Sequence, residues 1–157
     1  MTKEKMGLST EITLKCFRVD GSLKWEEVLH NTLTNTGFAA LAGLAGNVDS
    51  QVAFTYLALG TSSTATAATQ TALVAEIADS GLTRVAATVS RETTTVTNDT
   101  LQLLNTWTAS GSKSIEEIGI FNASSAGVML GRALTTTKAI VSGETIQGTY
   151  KVKIAAV

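Results

Sequence analysis

His30 is the chain's only histidine and therefore the first residue to consider for acid–base chemistry. A general base must lie within hydrogen-bond reach of a nucleophile or a carboxylate. The residues that follow it, Asn31 and Thr32, are polar, and the surrounding sequence contains no motif that would place such a partner. We interpret His30 as a polar residue at the end of a strand, which argues against a hydrolase built around it.

Cys16 is the only cysteine, so the chain cannot form an internal disulfide or a cysteine-cluster metal site. It falls in the same alternating phase as Ile12 and Leu14. A small, soft side chain in such a phase is typical of a packed core. We predict that Cys16 is a core residue and not a reactive thiol.

The small residues that follow Gly60 raise the question of a phosphate-binding loop. They lack the lysine and glycine spacing of a P-loop and also the G-x-G-x-x-G fingerprint. The carboxylates are dispersed as well: Glu76 and Asp79 flank a predicted helical turn, whereas Glu116 and Glu117 point to opposite sides of a predicted strand. The sequence thus predicts no catalytic, cofactor-binding or metal-binding residues, and we predict that the chain is not an enzyme.

The composition favours one β-rich domain. The chain has 157 residues, with 26 threonines, 13 glycines, no proline and 44% hydrophobic residues. Threonine is favoured on pleated sheets and disfavoured in helix interiors, and a chain of this length can bury a sizeable core. The formal net charge is -1, so we expect no nucleic-acid partner and no attraction to anionic lipid. No run approaches the roughly 18 apolar residues of a membrane span.

The middle of the chain predicts a strand, an ordered loop, a helical turn and a second strand. An apolar run from Val52 to Leu59 ends at Gly60 and leads into small polar residues, as a buried strand leads into a surface loop. Residues 70–78 then carry apolar residues at helical spacing, which predicts one or two helical turns. Residues 82–97 are mostly Thr, Val and Ala, which predicts one long strand.

Alternating apolar residues separated by turn-prone residues predict three antiparallel hairpins. The turn residues are Asp20-Gly21 in the first hairpin and Asn98-Asp99 in the second, and a run of small residues, 123–127, separates the strands of the third. The paired segments are 11–19 with 23–27, 93–97 with 100–107, and 115–122 with 128–134.

A short helix and a long final strand complete the pattern. Residues 37–46 have helical spacing, and their Ala and Gly residues permit close approach to another backbone. The final strand, 146–154, alternates cleanly, which places Tyr150 on its inward phase with Lys151 and Lys153 on its outward phase.

About eight strands with frequent turns favour an all-β fold, a two-layer antiparallel β-sandwich with one or two short helices. A parallel α/β fold would need a helix between most strands. Jelly-roll-like and immunoglobulin-like connectivities both fit the pattern. We assign residues 11–157 to a single sandwich domain, and residues 1–10, which lack a core-facing pattern, to an N-terminal arm that becomes ordered only against a neighbour.

Four segments occur in the order LALGT, TALVAEI, RVAATVSRETTTVTNDTLQL and IEEIGIFNASSAGVMLGRAL. In this order they resemble a family of tailed-bacteriophage virion proteins that decorate heads or build tail parts. The resemblance covers roughly residues 25–157 and brings no catalytic residues with it. It implies a structural role in a virion, with assembly in the host cytoplasm, which agrees with the absence of a hydrophobic secretion signal in residues 1–11.

From this resemblance we predict a head decoration or cement protein that stabilises the capsid lattice. Its expected partners are the major capsid protein and further copies of itself in a homotrimer. The alternatives are a tail, neck or fibre component, or a receptor- or carbohydrate-binding β-module. A binding module would need a cluster of exposed aromatic residues, whereas most of the aromatics here fall in phases predicted to be buried.

Overall fold

The computed structural model describes residues 6–156. Within this range ten strands form two antiparallel five-stranded sheets, accompanied by one helix. The predicted all-β sandwich is therefore confirmed, with more strands than the pattern indicated. The elements are β1 (Met6–Phe17), β2 (Leu23–Leu29), β3 (Thr32–Leu33), α1 (Asn35–Gly46), β4 (Tyr56–Gly60), β5 (Val85–Ala86), β6 (Thr88–Glu92), β7 (Thr100–Thr108), β8 (Lys113–Phe121), β9 (Met129–Ile140) and β10 (Thr145–Ala156).

Each sheet combines neighbours in sequence with strands from distant parts of the chain. The first sheet has the order β2-β1-β10-β7-β6, and the second has the order β3-β9-β8-β4-β5. The pairs β1–β2 and β8–β9 are the first and third predicted hairpins. The second was predicted to pair 93–97 with 100–107, whereas β7 pairs with the earlier segment β6. In the first sheet β1 and β10 are neighbours and pair over their whole lengths.

The core lies between the two sheets and contains the residues that strand alternation placed there. Tyr150 on β10 and Leu103 on β7 are fully buried, and Trp107 is 4% exposed. They pack in one cluster with Ile118 and Ile120 from β8 of the other sheet. The inward phases predicted for β7, β8 and β10 are therefore confirmed, although Ile154 at the end of β10 is largely exposed.

Helix α1 follows the predicted segment closely. Thr34 caps its first turn by accepting a hydrogen bond from the amide of Gly37 at 2.9 Å, and Asn47 ends it in the left-handed conformation. The buried face consists of small residues, because a Cβ atom on Gly37 would lie 2.6 Å from the carbonyl oxygen of Leu130 on β9. The predicted close approach to another backbone is confirmed, whereas Phe38 is exposed and does not anchor the helix.

Residues 70–78 do not form the predicted helical turns. Their amides find partners outside the segment: Ile77 donates to the carbonyl of Leu59 at 2.9 Å, and Glu76 forms an isolated bridge with Gly60. The chain around residues 76 and 77 therefore runs beside β4. Strand β4 itself covers only the second half of the predicted 52–59 strand and includes Gly60.

The predicted long strand over 82–97 is also wrong. It divides into β5, which pairs with β4 in the second sheet, and β6, which pairs with β7 in the first. Ala87 lies between them and donates its amide to Thr55 at 2.8 Å. The chain thus passes from one sheet to the other within a run of uniform composition, and 93–99 is a loop because Asp99 accepts its amides.

The predicted N-terminal arm is wrong over 6–10. These residues are the first part of β1, and they pair with the end of β10, where Thr10 lies opposite Val152. Their polar composition gave no sign of a strand, and the strand forms here because these residues pair with β10. The predicted domain boundary at residue 11 consequently falls inside a strand, and the rest of the predicted arm, 1–5, lies outside the described residues.

Candidate functional site

A buried ion pair lies on the outer face of the second sheet. Glu117 on β8 is fully buried and Arg132 on β9 is 1% exposed, and the Arg132 Nε donates to the Glu117 Oε2 at 2.5 Å. Removing two charges from water costs free energy unless their remaining hydrogen-bonding groups are also satisfied. The other partners of the pair therefore indicate what it holds in place.

Those other partners all belong to the segment 61–75, which we call the 61–75 loop. Glu117 accepts the amides of Val74 at 3.2 Å and Ala75 at 2.8 Å. Arg132 donates to the carbonyls of Thr64 at 2.7 Å and Ser62 at 3.3 Å, and also to the side chain of Gln70. Among the described residues, no buried side-chain nitrogen or oxygen is left without a hydrogen-bond partner. The pair fastens both ends of the loop to the sheet.

The 61–75 loop also covers a small apolar cluster. Leu73 is buried against Phe121 and Met129, together with Ala58 of β4. A Cβ atom on Gly60 would collide with the carboxylate of Glu117, so this position requires glycine. Strand β8 is consequently buried on both faces at its end, with the main core on one side and this loop on the other.

The middle of the loop is fastened at a third point. Thr66 shares a hydrogen bond of 2.7 Å with Thr32 on β3, and the carbonyl of Ala68 accepts the amide of Asn35 at 2.8 Å. In this middle part, 63–69, the exposed side chains are small: Ser63, Thr64, Ala65, Ala67 and Thr69. Hydroxyl groups without a neighbouring base can form hydrogen bonds but are poor nucleophiles, so this surface is suited to contact and not to covalent chemistry.

Arg84 fixes the neighbouring surface. Its guanidinium forms a two-pronged ion pair with Glu76, at 2.9 and 2.6 Å, and lies 3.6 Å from the centre of the Phe121 ring. It also donates to the carbonyls of Ala123 and Ala126 in the β8–β9 turn. Arg84 thus connects Glu76, which the sequence placed beside a helical turn, with the β8–β9 turn.

The remaining candidate carboxylates do not converge. Asp79 pairs with Lys113 at 2.7 Å, and Glu116 accepts a hydrogen bond from Thr137 at 2.8 Å. Within 6–156 no group of three His, Cys, Asp or Glu side chains is arranged to hold a metal ion. The same residues contain no helix that is long and apolar enough to cross a membrane.

His30 and Cys16 lie where the sequence predicted. His30 follows the end of β2, is exposed, and has its Nδ1 2.7 Å from the carbonyl oxygen of Thr10. Cys16 is fully buried, and burial is the main cause that raises the pKa of its thiol, followed by the charge of Glu144. A protonated thiol inside the core is unreactive, and no nucleophile is paired with the histidine in the described structure.

The first part of the 61–75 loop, up to residue 69, was predicted as an ordered surface loop, and the rest as part of a helical turn. The hydrogen bonds that hold the loop to the sheet were not predicted. The available signal was that Glu117 and Arg132 each stand next to apolar residues in their strands, Glu117 before Ile118 and Arg132 before Ala133. Their pairing depends on the register of β8 and β9, in which Gly119 lies opposite Arg132. Strand composition alone does not reveal that register.

The site is thus a β-sandwich surface on which buried charges hold loops in place. Residues 26–152 match the family described as podophage GP4 fiber I protein gp80, and the chain belongs to that family. The resemblance to tailed-phage virion structural proteins is therefore confirmed. Comparisons with curated proteins and with solved structures gave no match.

Proposed function

We propose that this protein is a non-enzymatic structural subunit of a phage fibre or tail. The observation that carries the proposal is the family match over 26–152, whose description names a fibre protein. This match favours the tail or fibre alternative over the capsid decoration role that we expected from the sequence. We further propose that the subunit joins the virion in the host cytoplasm.

The structure supports a contact role in two ways. The 61–75 loop is fastened by Glu117 and Arg132, so it presents a fixed surface that loses little conformational entropy when a partner binds. The buried charges form hydrogen bonds with backbone groups of the 61–75 loop, which agrees with a role in holding that loop in place. These features would suit a subunit that must keep its shape within a larger assembly.

We propose that the subunit associates with copies of itself as a homotrimer. The first sheet ends at β6, whose outer edge pairs with no other described strand, and several large apolar side chains are exposed elsewhere on the surface. Both features are common where subunits meet. A contact with the major capsid protein belongs to the decoration role and is the weaker proposal.

A phage that lacks this gene distinguishes the two roles. Loss of a fibre or tail subunit should leave heads filled with DNA while adsorption to host cells falls. Loss of a decoration protein should leave adsorption intact while heads release DNA on heating or in a chelator. Supplying the wild-type protein from a plasmid is the control. Heads that become fragile while adsorption is unchanged would contradict the fibre or tail role.

A further inference from the structure

Two lysines on the outer face of the first sheet share one depression. Lys151 and Lys153 are two residues apart on β10, so they lie on the same side of the strand about 7 Å apart at their Cα atoms. The depression has a volume of about 320 Å³, and its wall includes Ser9, Glu11, His30 and Thr94. Both lysine side chains are partly buried there.

These two lysines differ from the others in the described part of the chain. Lys15, Lys24, Lys113 and Lys138 each form an ion pair with a carboxylate, at 3.5, 2.7, 2.7 and 3.6 Å. Lys151 and Lys153 have no carboxylate within 4.0 Å among residues 6–156. Within 6–156, the fold thus brings the two lysine ammonium groups that form no ion pair to the same place.

Among the described residues, the nearby carboxylates form no ion pair with these two lysines. Glu11 lies opposite Lys151 in the β1–β10 register but forms no ion pair with it. Asp99 accepts hydrogen bonds from the amides of Val96, Thr94 and Thr95. These hydrogen bonds, chiefly the one from Val96, hold the pKa of its carboxyl well below its usual range. Its oxygens are therefore engaged by the 93–99 loop. With two lysines and one glutamate in its wall, the depression has a net positive charge.

Hydrogen-bonding groups beside the lysines are available to a ligand. The carbonyl of Thr10 can only accept, so the Nδ1 of His30 carries the proton in their 2.7 Å contact and leaves Nε2 free. Ser9 lines the same depression, and its hydroxyl has no hydrogen-bond partner in the described structure. The depression therefore combines two cations and a free hydroxyl, which can donate to an oxyanion, with an imidazole Nε2 that can only accept, for example from a sugar hydroxyl.

We propose that this depression binds the oxyanion of a small polar molecule, a carboxylate or phosphate such as an acidic sugar carries. Its volume is at the lower end of the roughly 300–1,000 Å³ typical of small-molecule sites. Two lysines are too few to hold a nucleic-acid backbone, whose affinity grows with each phosphate that is neutralised. The proposal does not depend on whether the subunit belongs to a fibre or to a head.

Isothermal titration of the full chain at low ionic strength tests this proposal. The probes are sodium phosphate, sodium glucuronate and neutral glucose. We expect both anions to bind and glucose not to bind, and we expect added salt to weaken the anions. Comparing the affinities for phosphate and glucuronate shows whether the depression prefers a phosphate or a carboxylate group. Binding of glucose as tight as that of glucuronate, or no binding of either anion, would overturn the proposal.

Matched variants locate the site. Lys151→Gln and Lys153→Gln should each weaken anion binding about tenfold, because each removes one charged hydrogen bond. Lys15→Gln is the control, since it removes the same charge from the same sheet face but lies outside the depression; we expect a change of less than about twofold. Glu11→Gln should strengthen binding, which keeps the test decisive if a lysine variant does not fold.

Two outcomes of these variants would contradict a small-molecule site. Equal losses in Lys15→Gln and Lys151→Gln would show that only the overall charge matters. A change in oligomeric mass in the Lys151 and Lys153 variants, without a change in anion affinity, would show that the lysines contact another subunit instead.

Discussion

At the scale of single residues, buried charge is the feature that departs furthest from the apolar pattern of the strands. Glu117 and Arg132 are separated by 15 positions and occupy neighbouring strands. The sequence does not show that these two residues meet. The pairing follows from strand register, which depends on long-range contacts and not on local composition.

Replacing Glu117 tests the function of the buried pair. Glu117→Gln leaves the Arg132 guanidinium buried without a counter-ion, so we expect the free energy of unfolding to fall by about 3 to 5 kcal/mol. Urea denaturation measures this loss, and limited proteolysis should show cleavage within the 61–75 loop. Glu116→Gln is the control: its side chain bonds only Thr137 at the surface, and we expect a change below about 0.5 kcal/mol. Equal effects of the two variants would contradict the fastening role.

Trp107 tests the register of the main core. Its ring is buried and its Nε1 donates to the carbonyl of Thr83 at 2.9 Å, so Trp107→Ala should remove about 3 to 5 kcal/mol of stability. Lys151→Ala and Lys153→Ala, on the outer face of the same sheet, should shift stability by no more than about 0.5 kcal/mol. Denaturant melts of the isolated protein compare the three. Lysine variants as unstable as the tryptophan variant would show that the strand faces are assigned wrongly.

At the scale of elements, the sequence predicts best where a single local rule governs. The first and third hairpins follow from alternation and turn residues, and α1 follows from its helical spacing. The predictions for residues 70–78 and 82–97 were wrong because contacts with distant parts of the chain determine the structure of both segments. In the first segment Glu117 and Leu59 supply the partners of the amides, and in the second the chain changes sheets without a change in composition.

Because α1 lies close to β9, replacing glycine with alanine should have opposite effects on stability at two positions of the helix. Gly37→Ala would place a Cβ atom 2.6 Å from the carbonyl of Leu130, so the helix must move and stability should fall by about 1 to 3 kcal/mol. Gly46→Ala meets nothing closer than 3.7 Å and should raise stability by about 0.5 kcal/mol through a lower backbone entropy cost.

Thermal melts of the two alanine variants measure these shifts. A Gly37→Ala protein as stable as the wild type would contradict the backbone contact, because that contact leaves no room for a methyl group. A destabilised Gly46→Ala protein would instead show that the helix end needs glycine for a reason other than space.

At the scale of the whole molecule, the fold class and the virion family were predictable from the sequence, whereas the position on the particle was not. The β-rich composition and strand alternation led to the sandwich. Head and tail proteins can share one structural β-domain, so the resemblance did not separate them. The family match over 26–152 favours the fibre or tail side.

The proposed oligomer is a homotrimer. Light scattering of the purified chain should give a mass of about 49 kDa, three times the 16.3 kDa of one chain. A mass that stays at one chain over a wide range of protein concentrations would contradict self-association in solution. Diluting the sample during the measurement is the internal control, because a genuine trimer dissociates only below its dissociation constant.

Electron microscopy of the purified phage tests the fibre or tail role most directly. Particles are labelled with gold through an antibody against this protein, and particles that lack the gene serve as the control. We predict label on the tail or its fibres and none on the head lattice. Label distributed regularly over the capsid surface, with tail and fibres unlabelled, would contradict the proposed role and restore the decoration role.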